Sequence, residues 1–184
     1  MLSLLPHAEY AEDQKHAKSI LTFHVLRSGF TAGAFISLAT SAASTLYWRP
    51  SPSTTQSLLS TFGRRSLVHA ARGSVAGLVL SAVMLGGRMR GREPIEWQDR
   101  AWRVQESVGQ SEADKWIIGG EIVGIAAAVA LARTGRLPAL QGKMSTTILG
   151  GAGLGAAGGT TDYMVWRYGI RGEKRTVAAA EAKS

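Results

Sequence analysis

Residues whose side chains could do chemistry are sparse in this 184-residue chain. It has no cysteine, which excludes a disulfide scaffold, a thiolate metal site and a cysteine nucleophile. The four histidines lack metal-ligand spacing, and no nucleophile, base and orienting group occur together. Residues 153–158 match the G-x-G-x-x-G pattern, but the chain after Gly158 is too short and too basic for a dinucleotide-binding unit. We therefore expect no enzyme activity, no catalytic residue, no metal and no cofactor, with a structural phospholipid left open.

Three charged residues lie inside apolar stretches or close to their ends: Arg72, Glu121 and Asp162. Because an unpaired charge in lipid is costly, Arg72 and Glu121 predict an ion pair with each other. Two alternatives are that Arg72 extends to the membrane surface and that Glu121 belongs to a proton or ion path. Asp162, like Arg27, is close to the end of its stretch, where we expect solvation at the interface.

The elements that must position these charges are four apolar stretches, which predict an all-α, polytopic membrane protein. A bilayer core about 30 Å thick requires roughly 20 helical residues, and Trp and Tyr at the ends of the stretches are typical of headgroup-level residues. The predicted arrangement is a polar arm at 1–19, a membrane domain at 20–170 with spans at about 20–48, 67–87, 116–132 and 144–165, and a charged tail at 171–184. A soluble helical bundle and a two-span protein are the alternatives.

Glycines four residues apart recur in every predicted span. Such residues share one helix face, and without side chains there two helices can approach closely in lipid. Incidental spacing in a glycine-rich chain is the alternative interpretation. The predicted packing residues are Gly29, Gly33, Gly73, Gly77, Gly120, Gly124, Gly151, Gly155 and Gly159.

The connecting segment at 88–115 predicts an amphipathic helix on the membrane surface or on a partner protein. Pro94 suits a first helical position, and four apolar residues recur at helical spacing: Trp97, Ala101, Val104 and Val108. Ser111, with Asp114 three residues later, predicts the cap of the third span. The tryptophans expected at the interface are Trp97, Trp102, Trp116 and Trp166.

The charge distribution argues for membrane lipids as partners and against nucleic acid. The net charge is +8, but six basic and six acidic residues balance in 88–115, whereas nucleic acid requires a basic face. The two short connections, 49–65 and 133–143, carry six basic residues and no acidic one. Since basic loops favour the inner side of a membrane, both termini are predicted on the outer side, in the intermembrane space if the membrane is the mitochondrial inner membrane.

The segment Arg92-Glu93-Pro94-Ile95-Glu96-Trp97-Gln98-Asp99-Arg100-Ala101-Trp102-Arg103, with the span layout around it, carries a family resemblance. The chain resembles, over about residues 15–170, the fungal NUXM-type accessory subunit of mitochondrial respiratory complex I (NADH:ubiquinone oxidoreductase). The resemblance implies a multi-pass protein of the mitochondrial inner membrane, with the other membrane subunits of complex I as partners. It also implies a role in assembly or stability, with electron transport and proton pumping left to other subunits.

The four glycine-striped spans are also similar in outline to the Tim17, Tim22 and Tim23 translocase group. The signature of that group, an Arg followed four residues later by Asp and then a Gly pair, is not found after the second span. A translocase component or a small inner-membrane carrier is therefore the alternative function.

Overall fold

Five α-helices and no strand make up the part of the chain that the computed structural model describes, residues 7–48, 58–135 and 144–172. The all-α prediction is confirmed for these residues. Of the two short connections used for orientation, residues 49–57 and 136–143 lie outside them, as does the tail from residue 173. Residues 58–65 form the start of α2. The helices are α1 (Ala17–Tyr47), α2 (Leu58–Met89), α3 (Pro94–Glu106), α4 (Val108–Arg133) and α5 (Met144–Met164).

The four long helices form two hairpins, α1 with α2 and α4 with α5, each with an extensive contact between its two helices. The hairpins meet mainly through α2 and α5, with a smaller contact between α1 and α5. Gly150 lies against Leu67, and Gly153, further along α5, lies against Ala70 and Ser74, further along α2. These two helices therefore run in the same direction, as alternation of four long helices requires.

Two helices in the described residues are long and apolar enough to cross a membrane: Thr61–Met89 within α2, and α4. The core helix of a soluble protein passes the same test, but it is mostly covered. Here only 22% and 11% of the most apolar windows are buried. α1 and α5 have sufficient length, but they contain more serine, threonine and glycine.

α3 lies across the ends of α1 and α2. Pro94 occupies the first turn, as predicted. Ala101 is fully buried, and with Trp97 and Val104 it packs against a cluster that includes Ile20 and Met89. The expectation that this face rests on a membrane or a partner is therefore wrong, because the chain covers the face itself. Val108 belongs to α4.

The N-terminal arm packs on a face of α3 that adjoins the buried one. Its short 3₁₀ turn, Ala11–Asp13, contacts α3. Trp102 Nε1 donates a hydrogen bond to the Ala8 carbonyl (3.0 Å), and Gln98 Nε2 donates to the Glu12 carbonyl (2.7 Å). The described part of the arm is therefore fixed to α3, and the ring of His7 also stacks on Trp102.

The predicted cap at Ser111 is wrong. α4 begins at Val108, and its N-cap is Ser107, whose hydroxyl accepts from the Gln110 amide. Because α4 begins before Ser111, Asp114 lies within the helix. Its side chain pairs with Arg27 of α1 and does not cap the start of α4.

Candidate functional site

The first hairpin is closed by a glycine seam in which backbone meets backbone. Gly29 and Gly33 of α1 face Gly77 and Gly73 of α2. A Cβ atom added to Gly33 would overlap the carbonyl of Gly73, and one added to Gly77 would overlap the carbonyl of Gly29. Neither obstacle is a flexible side chain, so only glycine fits at this separation of the helices.

The second hairpin has a seam of the same type, made by five glycines: Gly120 and Gly124 of α4 with Gly151, Gly155 and Gly159 of α5. A Cβ on Gly120 would overlap the carbonyl of Gly155, and one on Gly159 would overlap the carbonyl of Trp116. All nine glycines singled out in the sequence therefore lie at helix contacts.

Other helical glycines show that the contacts depend on position and not on residue type. A Cβ would meet nothing within 4 Å at Gly63, Gly86, Gly87, Gly119 and Gly158. Sequence reasoning missed two contact glycines, Gly150 and Gly153, which join the hairpins through Leu67 and Ser74. Their three-residue spacing lies outside the four-residue pattern.

Hydroxyl groups continue the first seam beyond its glycines. Ser41 and Ser66 are buried and share a hydrogen bond between their Oγ atoms (3.0 Å). Further along, Arg65 Nη1 donates to the Ser44 carbonyl (2.5 Å). These bonds fix α1 to α2 where the glycines end.

A buried ion pair between Arg27 and Asp114 connects the two hairpins. Arg27 Nη2 donates to Asp114 Oδ1, and the side chains are only 7% and 4% exposed. Gln110 Nε2 also donates to Asp114 Oδ1 (3.2 Å). Because burying either charge alone would be costly, each residue stabilises the buried position of the other.

The pair belongs to a polar cluster that also contains His24 and Glu121. His24 interacts electrostatically with both members of the pair, and Glu121, half-buried, with Arg27. Arg27 Nε and Nη1, Asp114 Oδ2 and His24 Nδ1 have no hydrogen-bond partner among the described residues. Buried donors and acceptors of this kind are where ordered water binds in proteins. The cluster therefore offers both charge and hydrogen-bonding capacity between α1 and α4.

The predicted pair of Arg72 with Glu121 is not formed among the described residues. Arg72 is exposed on α2, and the arginine near Glu121 is Arg27. The expectation of interfacial solvation for Arg27 is wrong, since its side chain is buried. Asp162 is exposed, close to the end of α5. The prediction for Arg27 took the end of the apolar stretch as the end of the helix. α1 and α4 begin before their apolar stretches, so residues near the predicted span ends lie inside the helix bundle.

The start of α4 and the end of α5 are joined by a second polar contact, here named the Glu112 clamp. Glu112 accepts from Arg167 and from Arg171, each at 2.8 Å. α5 continues as a π-helical turn at Val165–Ile170, and the Arg171 guanidinium lies 5.0 Å from the ring centre of Trp166. The Trp166 ring in turn lies 5.9 Å from that of Trp116.

An apolar groove of about 850 Å³ runs beside the second seam. Its wall includes residues of all four long helices, among them Leu38, Phe62, Val123, Leu131, Leu154 and Gly158. A smaller recess of about 390 Å³ adjoins it and shares Gly120, Val123, Gly159 and Asp162. Lys115 and Trp116 line only the recess. The groove is therefore apolar along most of its length, and charged residues lie at the end that adjoins the recess.

Within 7–48, 58–135 and 144–172, no group of three or more His, Cys, Asp or Glu residues could hold a metal ion. The chain has no significant match to a family model, to a curated protein or to a solved structure. The residues of the seams, the polar cluster and the groove are therefore the basis for a functional proposal.

Proposed function

We propose that this protein is a non-catalytic, four-span accessory subunit of mitochondrial respiratory complex I, which supports assembly or stability of the membrane arm through helix packing. The observation that carries the proposal is the pair of glycine seams. Each seam joins two long helices by backbone contact, Gly150 and Gly153 join the resulting hairpins, and apolar side chains remain on the outside.

The outward surfaces of α2 and α4 require an apolar environment. Val79, Leu80, Val83 and Met84 of α2 are each more than half exposed, as is Ile122 of α4. A contiguous apolar surface of this kind is typical of contact with lipid or with neighbouring protein. Lipid and the helices of other membrane subunits both satisfy this requirement.

Polar residues and glycines make α1 and α5 less apolar than α2 and α4. Several of these groups are paired or covered inside the bundle, which supports the proposal that α1 and α5 also cross the membrane. The charge of Arg27 is paired with Asp114. The hydroxyl of Thr31 donates to the Arg27 carbonyl of its own helix (3.1 Å), and the glycines of α5 other than Gly158 are covered by α4 and α2. Among the described residues, Arg27, Thr31 and the contact glycines of α5 therefore do not have to face lipid without a partner.

The segment that carries the family resemblance forms α3 and the turn before it. Its apolar side covers the ends of α1 and α2, whereas its other side presents two i,i+4 ion pairs, Arg92 with Glu96 and Asp99 with Arg103. Such a charged surface is compatible with the aqueous side of a membrane or with contact to a polar subunit. It agrees with α3 as a peripheral helix that packs against the membrane-spanning helices.

Native gel electrophoresis of mitochondrial extracts in mild detergent, with mass spectrometry of the band that contains this chain, tests the proposal. We expect co-migration with complex I subunits for the wild type and for Gly86→Leu, whose new side chain starts in open space. Gly33→Leu, on the first seam, should leave that band. Migration of the wild type alone, or in a translocase-sized band, would overturn the proposal.

Glu121→Gln separates the proposal from the translocase or carrier alternative. Lost assembly with this variant agrees with a structural role of the polar cluster. Intact assembly with lost transport would favour the alternative, because the carboxylate would then act on a transported species.

A further inference from the structure

We propose that the groove beside the second seam holds an acyl chain of a phospholipid with a zwitterionic, primary-amine headgroup. Lys115 would bind the phosphate of that headgroup and Asp162 its ammonium group. The inference rests on the membrane placement in the proposed function, but not on the identity of the complex.

The dimensions of the groove fit a lipid chain. Its volume of about 850 Å³ lies within the usual range of ligand sites. Measured along α4, the recess and the groove together extend from Lys115 to Leu131, about 24 Å at a rise of 1.5 Å per residue. One leaflet contributes roughly 15 Å of a 30 Å hydrocarbon core, so a chain entering at Lys115 stays within the groove.

The lining has the chemistry of a site for an unbranched hydrocarbon. Leu131, Leu154 and Phe62 supply apolar side chains, and Gly158 leaves open space where another residue would project. A flexible chain can follow such a surface without a fixed pattern of side-chain pockets. The five glycines of the second seam line the groove as well, so the contact between α4 and α5 forms part of its wall.

The charges at one end identify the headgroup. Lys115 and Asp162 line the same recess, and neither forms an ion pair with the other or with any other residue of the described ranges. Opposite charges that share a recess without pairing suit a zwitterion that lies between them. Trp116 lines the recess too, and tryptophan prefers the headgroup level.

These charges also distinguish the occupant from other candidates. An apolar partner helix would leave both charges without a partner, which is costly at a protein interface. An anionic headgroup would be repelled by Asp162. A primary ammonium can donate hydrogen bonds to a carboxylate, whereas a quaternary one cannot, so we expect phosphatidylethanolamine to bind more tightly than phosphatidylcholine.

The test uses the full chain, purified in mild detergent and freed of lipid, with native mass spectrometry and thermal melting after addition of phosphatidylethanolamine, phosphatidylcholine or phosphatidylglycerol. Gly158→Leu fills the groove from a position where its Cβ has no neighbour, so the fold is retained. Gly86→Leu is the matched control, because it also starts in open space but does not line the groove.

We expect one phosphatidylethanolamine bound per chain, with affinity at least tenfold lower in Gly158→Leu and unchanged in Gly86→Leu. Lys115→Gln with Asp162→Asn should remove the preference for this lipid over the other two. Equal affinity of wild type and Gly158→Leu would overturn the proposal, as would equal binding of all three lipids to the wild type.

The outcome can be separated from that of the proposed function. Lipid binding is measured on the isolated chain, so it is independent of co-migration with complex I. If Gly158→Leu lost a protein partner in native gels and kept its lipid affinity, the groove would be a helix-docking site and the lipid proposal would be wrong.

Discussion

The two hairpins share one kind of helix contact but differ in the polar groups that accompany it. In the first hairpin, the hydroxyls of Ser41 and Ser66, just beyond the glycines, are buried and join α1 directly to α2. In the second, the polar contact is the partly exposed Glu112 clamp. Glycine spacing therefore brings two helices together in both hairpins, whereas the polar groups that accompany it are buried in the first hairpin and partly exposed in the second.

This difference agrees with the location of the groove. Most of its lining comes from the second hairpin, and the first contributes Leu38 of α1 and a few residues of α2 near Leu67. The first hairpin therefore has the character of an internal scaffold, and the second presents a surface that can bind another molecule. The contact between them depends on α2, α5 and the Arg27–Asp114 pair.

The largest effect is expected from breaking the link between the hairpins. Arg27→Leu leaves Asp114 buried without its partner, which should lower the free energy of unfolding by roughly 3–5 kcal/mol. Replacing both residues, as Arg27→Met with Asp114→Leu, should recover most of that loss. Equilibrium unfolding in mild detergent measures both variants. A single variant as stable as the wild type would show that the hairpins hold together without the pair.

The next largest effect tests whether the two seams are equivalent. Gly33→Ala and Gly120→Ala place a methyl group against a backbone carbonyl, so each should destabilise its hairpin by roughly 1–3 kcal/mol. Their controls on the same hairpins, Gly86→Ala and Gly119→Ala, should be neutral or slightly stabilising, because alanine favours helix. Thermal melting compares the four. A loss of stability in the variant of only one hairpin would show that the two seams are not equivalent.

A smaller effect should be confined to the first hairpin. Ser41→Ala removes a buried hydrogen bond between helices, which is worth about 1 kcal/mol. Ser28→Ala is the matched control on α1, since that hydroxyl bonds its own helix at the His24 carbonyl and is exposed. Melting temperatures of the two variants check this difference. If Ser28→Ala proved as damaging, the bond across the seam would have no special role.

The smallest effect is expected at the clamp of the second hairpin. Glu112→Gln should leave global stability almost unchanged, because the pairs with Arg167 and Arg171 are partly exposed and screened by salt. Hydrogen exchange at residues 165–172 should nevertheless become faster. Glu96→Gln on α3 provides the control, and exchange that changes equally in both variants would contradict a local clamp.

Local structure could be predicted from the sequence to a large extent. Apolar stretches gave the positions of all four long helices, because only a helix satisfies the backbone over so many apolar residues. Pro94 and the spacing of Trp97 and Ala101 gave α3. The helix ends were less predictable, since α1 and α4 begin in polar sequence before their apolar stretches, with buried residues such as Ala17 and Asp114 near these starts.

Contacts between distant residues could not be predicted. The four-residue spacing identified Gly33 as a packing residue, but nothing in the sequence says that it faces Gly73. Arg27 and Asp114 are far apart in the chain, and each has a plausible local interpretation. One signal for Arg27 was present: Thr31 and Ala34 follow it at helical spacing on the same buried face.

The repeated spacing of the glycines has a consequence for the axial register of the helices. Sliding α4 past α5 by four residues, about 6 Å, again places glycine against glycine, because three glycines of α5 face two of α4. The seam alone is therefore nearly degenerate between two registers. Groups that do not repeat must select one, and these are the Glu112 clamp and the hydrogen bond from Tyr163 Oη to the Gly109 carbonyl (2.8 Å).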